Sequence, residues 1–406
     1  MNWQDSTLGA LTKLDGGLIQ TGPFGSQLHQ AEYETEGVPV VMPKDITDGG
    51  ISSETVARVS EQTAARLERH KLKPRSIVLP RRGEITKRAF ITDAQGGWLC
   101  GTGCLKIELN GDHLVPEYLY YFMGQEHVTK WLMQHAVGST MLNLSAGIVA
   151  AMPVRYPAIN VQKAIARTLS TYDDLIENNR RRMALLEDSA RQLYREWFVR
   201  LRFPGHEHTP IVDGLPQGWE RKTLGEISGI NQCNIASGFD GEIEYIDIAS
   251  VTRNSVNDTT RYEFRDAPGR ARRIVRHGDI IWSCVRPNRR SHAVIWQPAE
   301  NLVASTGFVV ISPKSLPTSF LYQAVTTDLF VGYLENHAKG AAYPAVVSGD
   351  FERATILVPP PALVTAFDEF AEPLLWQIQN LHSQNQKLRQ ARDLLLPRLM
   401  NGELAV

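Results

Sequence analysis

Four cysteines in 406 residues leave little basis for a disulfide framework or a metal cluster. Cys100, Cys104, Cys233 and Cys284 form no Cys-x-x-Cys pair, and no histidine group stands at ligand spacing. Free thiols, buried in a protein of a reducing cytosol, are the expectation. Long apolar runs are also missing. None approaches the ~18–20 residues of a membrane span, and Met1-Asn2-Trp3-Gln4-Asp5 does not open like a signal peptide. A cytoplasmic location follows as an expectation. Net charge is nearly absent at −1, which by itself speaks against a polyanion partner.

Catalytic signatures are scarce as well. No Gly-x-x-x-x-Gly-Lys-Ser/Thr occurs, so no nucleotide P-loop is present. Gly101-Thr102-Gly103 runs into Cys104, Leu105 and Lys106 where a dinucleotide turn needs its third glycine. The Asn/Asp-Pro-Pro-Tyr tetrapeptide of amino-methyltransferases is missing; Val358-Pro359-Pro360-Pro361 reads as a linker. Glu220-Arg221-Lys222 supplies half of a nuclease pattern without the upstream Asp on its own strand. A non-catalytic chain that binds no cofactor of its own is expected.

What the chain does contain, it contains twice. Trp3 with Thr7-Leu8-Gly9 returns as Trp219 with Thr223-Leu224-Gly225, an offset of 216. Cys100-Gly101-Thr102-Gly103 returns as Ala304-Ser305-Thr306-Gly307, an offset of 204. Trp131-Leu132 with His135-Ala136 and Gly138 returns as Tyr333-Leu334 with His337-Ala338 and Gly340, an offset of 202. An enzyme seldom gains from two diverged copies of one active site. A protein that reads two pieces of one long ligand does gain.

The charge is distributed to match. Residues 71–88 hold Lys71, Lys73, Arg75, Arg81, Arg82, Lys87 and Arg88 against the single acid Glu84. Residues 270–290 hold Arg270, Arg272, Arg273, Arg276, Arg286, Arg289 and Arg290 against the single acid Asp279. Either cluster alone reads as a solvated face. Two at equivalent places in a repeat suggest a polyanion gripped at two sites.

The fold class that follows is α+β. Residues 1–158 and 204–358 are two mixed, mostly β domains, with short β-branched runs at Val38–Met42, Ser76–Leu79, Ala89–Thr92 and Cys104–Leu109 in the first. The second repeats them at Ile243–Ala249, Asp279–Cys284, Ala293–Trp296 and Phe308–Ile311. The periodicity predicts one amphipathic helix at Pro116–Ala136 and another at Leu321–Leu334. Residues 159–203 and 359–406 follow a different grammar. Leu169, Tyr172, Ile176, Asn179, Met183, Leu186, Ala190, Leu193 and Trp197 alternate spacings of 3 and 4, the heptad of a coiled-coil seam. Adding 202 gives Ala371, Leu374, Ile378, Leu381, Asn385, Leu388, Arg392, Leu395 and Leu399, again mostly apolar. One Asn in each seam fixes register at some cost in stability. Pro204-Gly205 closes the first helix, and Pro373 and Pro397 are expected to kink or shorten the second. Two helices of this length pair economically antiparallel, with a β-rich unit at either end of a rod: a dumbbell.

Candidate ligand contacts lie in loops. Thr21-Gly22-Pro23-Phe24-Gly25-Ser26-Gln27-Leu28 lets backbone amides approach a phosphate while Ser26 and Gln27 reach outward, or else it is a structural turn. Arg81-Arg82-Gly83-Glu84 and Arg286-Pro287-Asn288-Arg289-Arg290 read as hairpin tips. Arg suits the two major-groove acceptors of guanine, and Asn the acceptor and donor of adenine. Gly138–Ser145 is a polar loop, replaced in the second half by Gly340-Ala341-Ala342-Tyr343-Pro344.

These repeated openings, the Gly22–Leu28 segment, the Gly138–Ser145 loop and the heptad helix after each unit resemble the specificity subunits of type I restriction–modification enzymes, over essentially the whole chain. The resemblance implies two target-recognition domains, each reading half of a bipartite site in double-stranded DNA. It implies two spacer helices that dock methyltransferase subunits, two of them, with or without restriction–translocation subunits. S-adenosylmethionine, ATP and Mg²⁺ would then belong to those partners. The candidate DNA contacts are Ser26, Gln27, Lys44, Lys71, Arg81, Arg82, Lys87, Arg88, Asn143, Arg270, Arg273, Arg286, Asn288, Arg289 and Arg290. The second copy lacks a Gly-Pro-Phe-Gly loop, so individual contacts do not transfer between halves. The competing reading is a coiled-coil adaptor that joins two binding modules without DNA specificity.

Overall fold

A computed structural model describes residues 3–47, 49–52, 56–138 and 141–406. The chain divides into two compact units, residues 1–177 with 385–406 and residues 178–384. Each is α+β, and the sequence repeat is a structural repeat.

In the first unit the opening strand Gln4–Thr7 pairs antiparallel with Pro153–Tyr156. The repeated Thr-Leu-Gly earns its place just after this strand. Thr7 caps the helix Leu8–Leu14 by accepting from the Ala10 amide, and Leu8 enters the core. Gly9 lets the helix Ala146–Ala151 approach; a Cβ there would lie 2.9 Å from that of Ala150. The second unit does the same with Glu220–Thr223 paired to Thr355–Val358. There Thr223 and Glu226 form a capping box, and Leu224 is fully buried.

Two four-stranded sheets follow in each unit. In the first, Leu18–Thr21, Cys104–Glu108, Ile77–Pro80 and Ala89–Phe90 run antiparallel in that order. Their counterparts are Ser228–Ile230, Phe308–Pro313, Ile280–Ser283 and His292–Val294. The other sheet pairs Leu99–Cys100 parallel to Val38–Val41, then adds Ala57–Val59 and Tyr33–Glu34. In the second unit Leu302–Ser305 pairs parallel to Glu242–Ile246, flanked by Thr260–Glu263 and Ala271–Ile274. A parallel pair inside each otherwise antiparallel sheet is a shared topological signature.

The amphipathic segment expected as one helix at Pro116–Ala136 is two, Pro116–Phe122 and Glu126–His135. The break comes at Gly124, whose amide donates to Tyr121 O at 2.9 Å, three residues back, instead of continuing the four-residue ladder. The second unit breaks likewise between Thr318–Ala324 and Asp328–His337, where Thr327 caps the new helix through the Phe330 amide. Apolar periodicity continues across both breaks, which is why it concealed them. The Trp131–His135 repeat motif is a stacked pair at 3.9 Å with His135 Nδ1 against Trp131 O; Tyr333 and His337 repeat both contacts, at 4.2 Å.

The long helices are Ile159–Tyr194, ending in a π-turn at Arg195–Val199, and Pro361–Met400. Helix Pro361–Met400 is uninterrupted at Pro373 and Pro397, whose side chains stand exposed. Within the first unit, Asp173 meets Arg392, and Asn385 Nδ2 donates to Ile176 O at 3.3 Å. Within the second, Met183 packs on Ile378 and Leu381. Rising numbers on one helix meet falling numbers on the other, so the pairing is antiparallel in each unit. Of the seam, Leu169, Ile176, Asn179, Met183 and Ala190 are buried, as are Ala371, Ile378, Leu381, Asn385 and Leu399. No helix among the described residues is long and apolar enough to cross a membrane.

Candidate nucleic-acid interface

The strand Ile77–Pro80 leads into Arg81-Arg82-Gly83-Glu84 and returns as Ala89–Phe90; Ile280–Ser283 leads into Arg286–Arg290 and returns as His292–Val294. Both basic segments are therefore turns between paired strands, as the sequence predicts. Each turn is tied to the glycine loop of its own unit. Arg82 forms an antiparallel bridge with Asn143, and the Leu144 amide donates to Arg81 O at 2.8 Å. Val285 bridges Ala345, and the Val346 amide donates to Cys284 O at 3.0 Å. Gly138 (φ +122°) and Gly340 (φ +102°) open these loops in a conformation that favours glycine. Ser139 and Thr140 of the first loop lie outside the described residues.

Much of the charge in the two clusters is answered within its own unit. Lys71 pairs with Glu68, Lys73 with Glu108 at 3.1 Å, Lys87 with Glu84, and Arg75 with both oxygens of Glu117 at 2.7 and 2.8 Å. Arg88 turns inward: its Nε donates to Tyr120 O at 2.7 Å, and its guanidinium lies 4.9 Å from that ring. It occupies the space a side chain at Gly124 would need. Arg290 pairs with Asp328, and Arg273 donates to Asn234 at 3.0 Å while its buried Nε has no hydrogen-bond partner among the described residues. Burial of Arg273 pushes its pKa down. Sequence composition could not reveal these pairings, because Glu68, Glu108, Glu117 and Asp328 lie outside the counted windows.

The remaining candidates stay open to solvent. Ser26, Lys44, Arg82, Arg270, Asn288 and Arg289 are exposed, and among the described residues none has a side-chain hydrogen bond or ion pair. Gln27 differs from expectation. Its Oε1 folds back to accept from the Phe24 amide at 3.1 Å, so it braces the loop instead of reaching outward. Gly22 is structural as well, since a Cβ there would lie 2.0 Å from Gly101 O. Asn143 accepts a long 3.4 Å contact from Arg81 Nε. Sequence reasoning missed the partners of the tip arginines. Arg81 stands over Phe24 at 5.8 Å, and Arg286 over Tyr343 at 4.6 Å. The available signal was an aromatic beside glycine or proline in a loop, outside any apolar period.

The cysteines are free, with Cys100 and Cys104 buried and Cys233 and Cys284 half-buried. Burial pushes the Cys100 thiol up to about 12 and Cys284 to about 11, which makes both poor nucleophiles. Among the described residues no group of three or more His, Cys, Asp or Glu is placed to hold a metal.

Residues 2–188 match the type I restriction modification DNA specificity domain. The chain is 24% identical to the type I restriction enzyme MjaIX specificity subunit of Methanocaldococcus jannaschii, over 92% of this chain and 88% of that one. It is 20% identical to the HindI specificity subunit of Haemophilus influenzae, over 78% and 83%. The crystal structure of a type-I restriction-modification system S subunit from M. genitalium shares the fold, with a TM-score of 0.57 at 18% identity over 98% and 96% of the two chains. A matched domain and relatives aligned over most of their length agree: this chain is similar, over most of its length, to the specificity subunits of type I restriction–modification enzymes.

Proposed function

We propose that this chain recognises the DNA target of a type I restriction–modification complex and reads it in two parts, one with each unit. The observation that carries this reading is the duplicated frame with unlike tips. Both units present a basic turn bridged to a glycine loop. The first offers Arg81, Arg82 and Asn143, the second Arg286, Asn288 and Arg289. A common scaffold with different donors is what reading two different half-sites requires. Ser26, Lys44, Lys71, Lys87 and Arg270 would contact phosphate, as would Arg88 and Arg273 if binding frees them. Residues 1–158 and 204–358 are then the target-recognition domains, and 159–203 and 359–406 the spacer helices that dock two methyltransferase subunits. Catalysis, S-adenosylmethionine, ATP and Mg²⁺ belong to the partners in this reading, and the complex works in the cytoplasm. The matched DNA specificity domain and the likeness to specificity subunits favour it over an adaptor without DNA specificity.

A binding selection on random DNA tests it, using the chain assembled with its modification subunits. Arg82→Ala should relax one half-site and Arg289→Ala the other, since a bidentate base contact is worth ~1–3 kcal/mol. Arg270→Ala and Lys71→Ala should weaken all sequences alike and reduce the salt slope by about one each. Four variants indistinguishable from the parent would mean that the basic turns are solvated faces.

A further inference from the structure

Two exposed aromatic rings stand beside the basic turns. Phe24 is 56% exposed and Tyr343 70%. Among the described residues neither belongs to a hydrophobic cluster, yet each lies beneath a guanidinium. The two pairs are not copies of one inherited contact. Phe24 lies in the loop after Leu18–Thr21, whereas Tyr343 follows the helix Asp328–His337. By hydrogen-bond register Arg81 corresponds to Cys284, not to Arg286. The same chemistry has arisen from different positions in the same region of each unit. Inherited packing does not account for that; a shared task does.

Both arginines are fixed in place yet only partly satisfied. The Arg81 backbone is held on both sides, by Gly103 O at 2.8 Å and by the Leu144 amide at 2.8 Å. Only its Nε is engaged, by Asn143, and among the described residues nothing binds its two terminal nitrogens. Arg286 takes a left-handed backbone (φ +52°), held by its amide to Pro344 O at 2.7 Å and by the Arg289 amide to its carbonyl at 2.9 Å. One terminal nitrogen donates to Ala342 O at 3.3 Å, and among the described residues nothing binds the other. Phe24 is itself braced, its amide donating to Gln27 Oε1. A ring beneath a planar guanidinium fixes the plane of the fork, which an ammonium could not exploit. A fork set in advance loses less freedom on meeting the paired acceptors of a base.

We infer that Phe24 and Tyr343 are positioning residues for base reading, each orienting one arginine fork, Arg81 or Arg286, toward a guanine edge of its own half-site. The inference rests on the DNA-reading function proposed above.

The test uses the complex with modification subunits and libraries randomised in one half-site at a time. Phe24→Leu keeps the apolar bulk and loses the π face. Discrimination for guanine at one position of one half-site should fall three- to tenfold, with the other half-site and the salt slope unchanged. Phe24→Tyr should retain it. Arg81→Lys should show the same loss, and Phe24→Leu added to Arg81→Lys should add nothing. Tyr343→Leu, Tyr343→Phe and Arg286→Lys give the matching set in the other half-site. Additive losses, a loss spread evenly over all sequences, or no loss would each overturn the inference. If the parent complex selects no two-part sequence, the proposed function falls and takes this with it. If the parent selects one and the ring variants behave as the parent does, only the positioning role falls.

Discussion

Acid should destabilise the second unit through one histidine. His292 is 1% exposed, and burial first, then the charges of Arg253, Arg290 and Arg191, push its pKa down to about 3. Its surroundings define the proton. Tyr322 donates to Asn254 Oδ1 at 2.6 Å, so its oxygen can accept from His292 Nδ1–H at 3.2 Å; Asn254 Nδ2 in turn donates to Glu187. The neutral ring serves as donor in this chain of bonds. A histidine whose folded pKa lies below its unfolded value of 6.5 costs stability as pH falls beneath 6.5, because only the unfolded chain takes the proton. The loss is 1.36 kcal/mol per pH unit until the folded value is reached. From pH 7.5 to 5.0 it amounts to about 2 kcal/mol, and any folded value below about 4 gives the same result. For a unit of about 200 residues that is roughly 4–8 °C in melting temperature. Glu187 acts in the opposite sense. Burial raises its carboxyl above 4.5, so the folded state protonates first and gains stability as pH falls through that value. Thermal melts of parent, His292→Gln and Glu187→Gln at both pH values decide the matter. His292→Gln keeps a donor for Tyr322 and should lose the acid sensitivity, while Glu187→Gln should show the full histidine slope. Equal acid losses in parent and His292→Gln would refute the reasoning.

Asp173 accepts from Tyr121 at 2.6 Å and pairs with Arg392, joining a domain helix to both long helices of the first unit. Asp173→Ala should cost about 2 kcal/mol, less than a fully buried pair would, and Asp173→Asn about half, read by urea unfolding. Gly22→Ala would drive a Cβ against Gly101 O, costing about 2 kcal/mol or more in a melt and altering only the first half-site in a binding selection. One heptad inserted after Met183, with another after Leu381, adds to both partners of one packing layer. It should lengthen the spacer by ~10 Å, about three base pairs of DNA, with about a third of a turn of rotation. A changed gap with unchanged half-sites is expected in a random-site selection; an unchanged gap would mean that the helices do not set the distance.

The repeat offsets were the most legible feature of the sequence because they record register. Strands, capping threonines and the Trp131 and Tyr333 ring contacts all recur at the predicted intervals. The seam was legible for a similar reason: burial every 3 or 4 residues leaves a direct trace. The helix breaks at Gly124 and Thr327 were not, because the apolar face resumes in phase beyond each. Charge was the least legible. Arg81 and Arg88 stand seven residues apart in one basic run, yet one reaches the Asn143 side chain in the glycine loop and the other holds a helix end. What separates them is the Tyr120 carbonyl and ring, brought in from more than thirty residues away. Local composition contains no information about that encounter.

The clasp that opens and closes each unit has a consequence for how such proteins can change. Gln4–Thr7 lies against Pro153–Tyr156, and Glu220–Thr223 against Thr355–Val358, so entry and exit of each recognition segment sit side by side. Everything between is, topologically, a cassette hung from a two-stranded hinge. Backbone hydrogen bonds form that hinge, and they are indifferent to most side chains. A crossover within the paired strands could therefore replace an entire reading head while the helix behind it kept its register. New DNA targets would then arise by exchange of whole heads, far faster than by substitution of single residues at a packed tip.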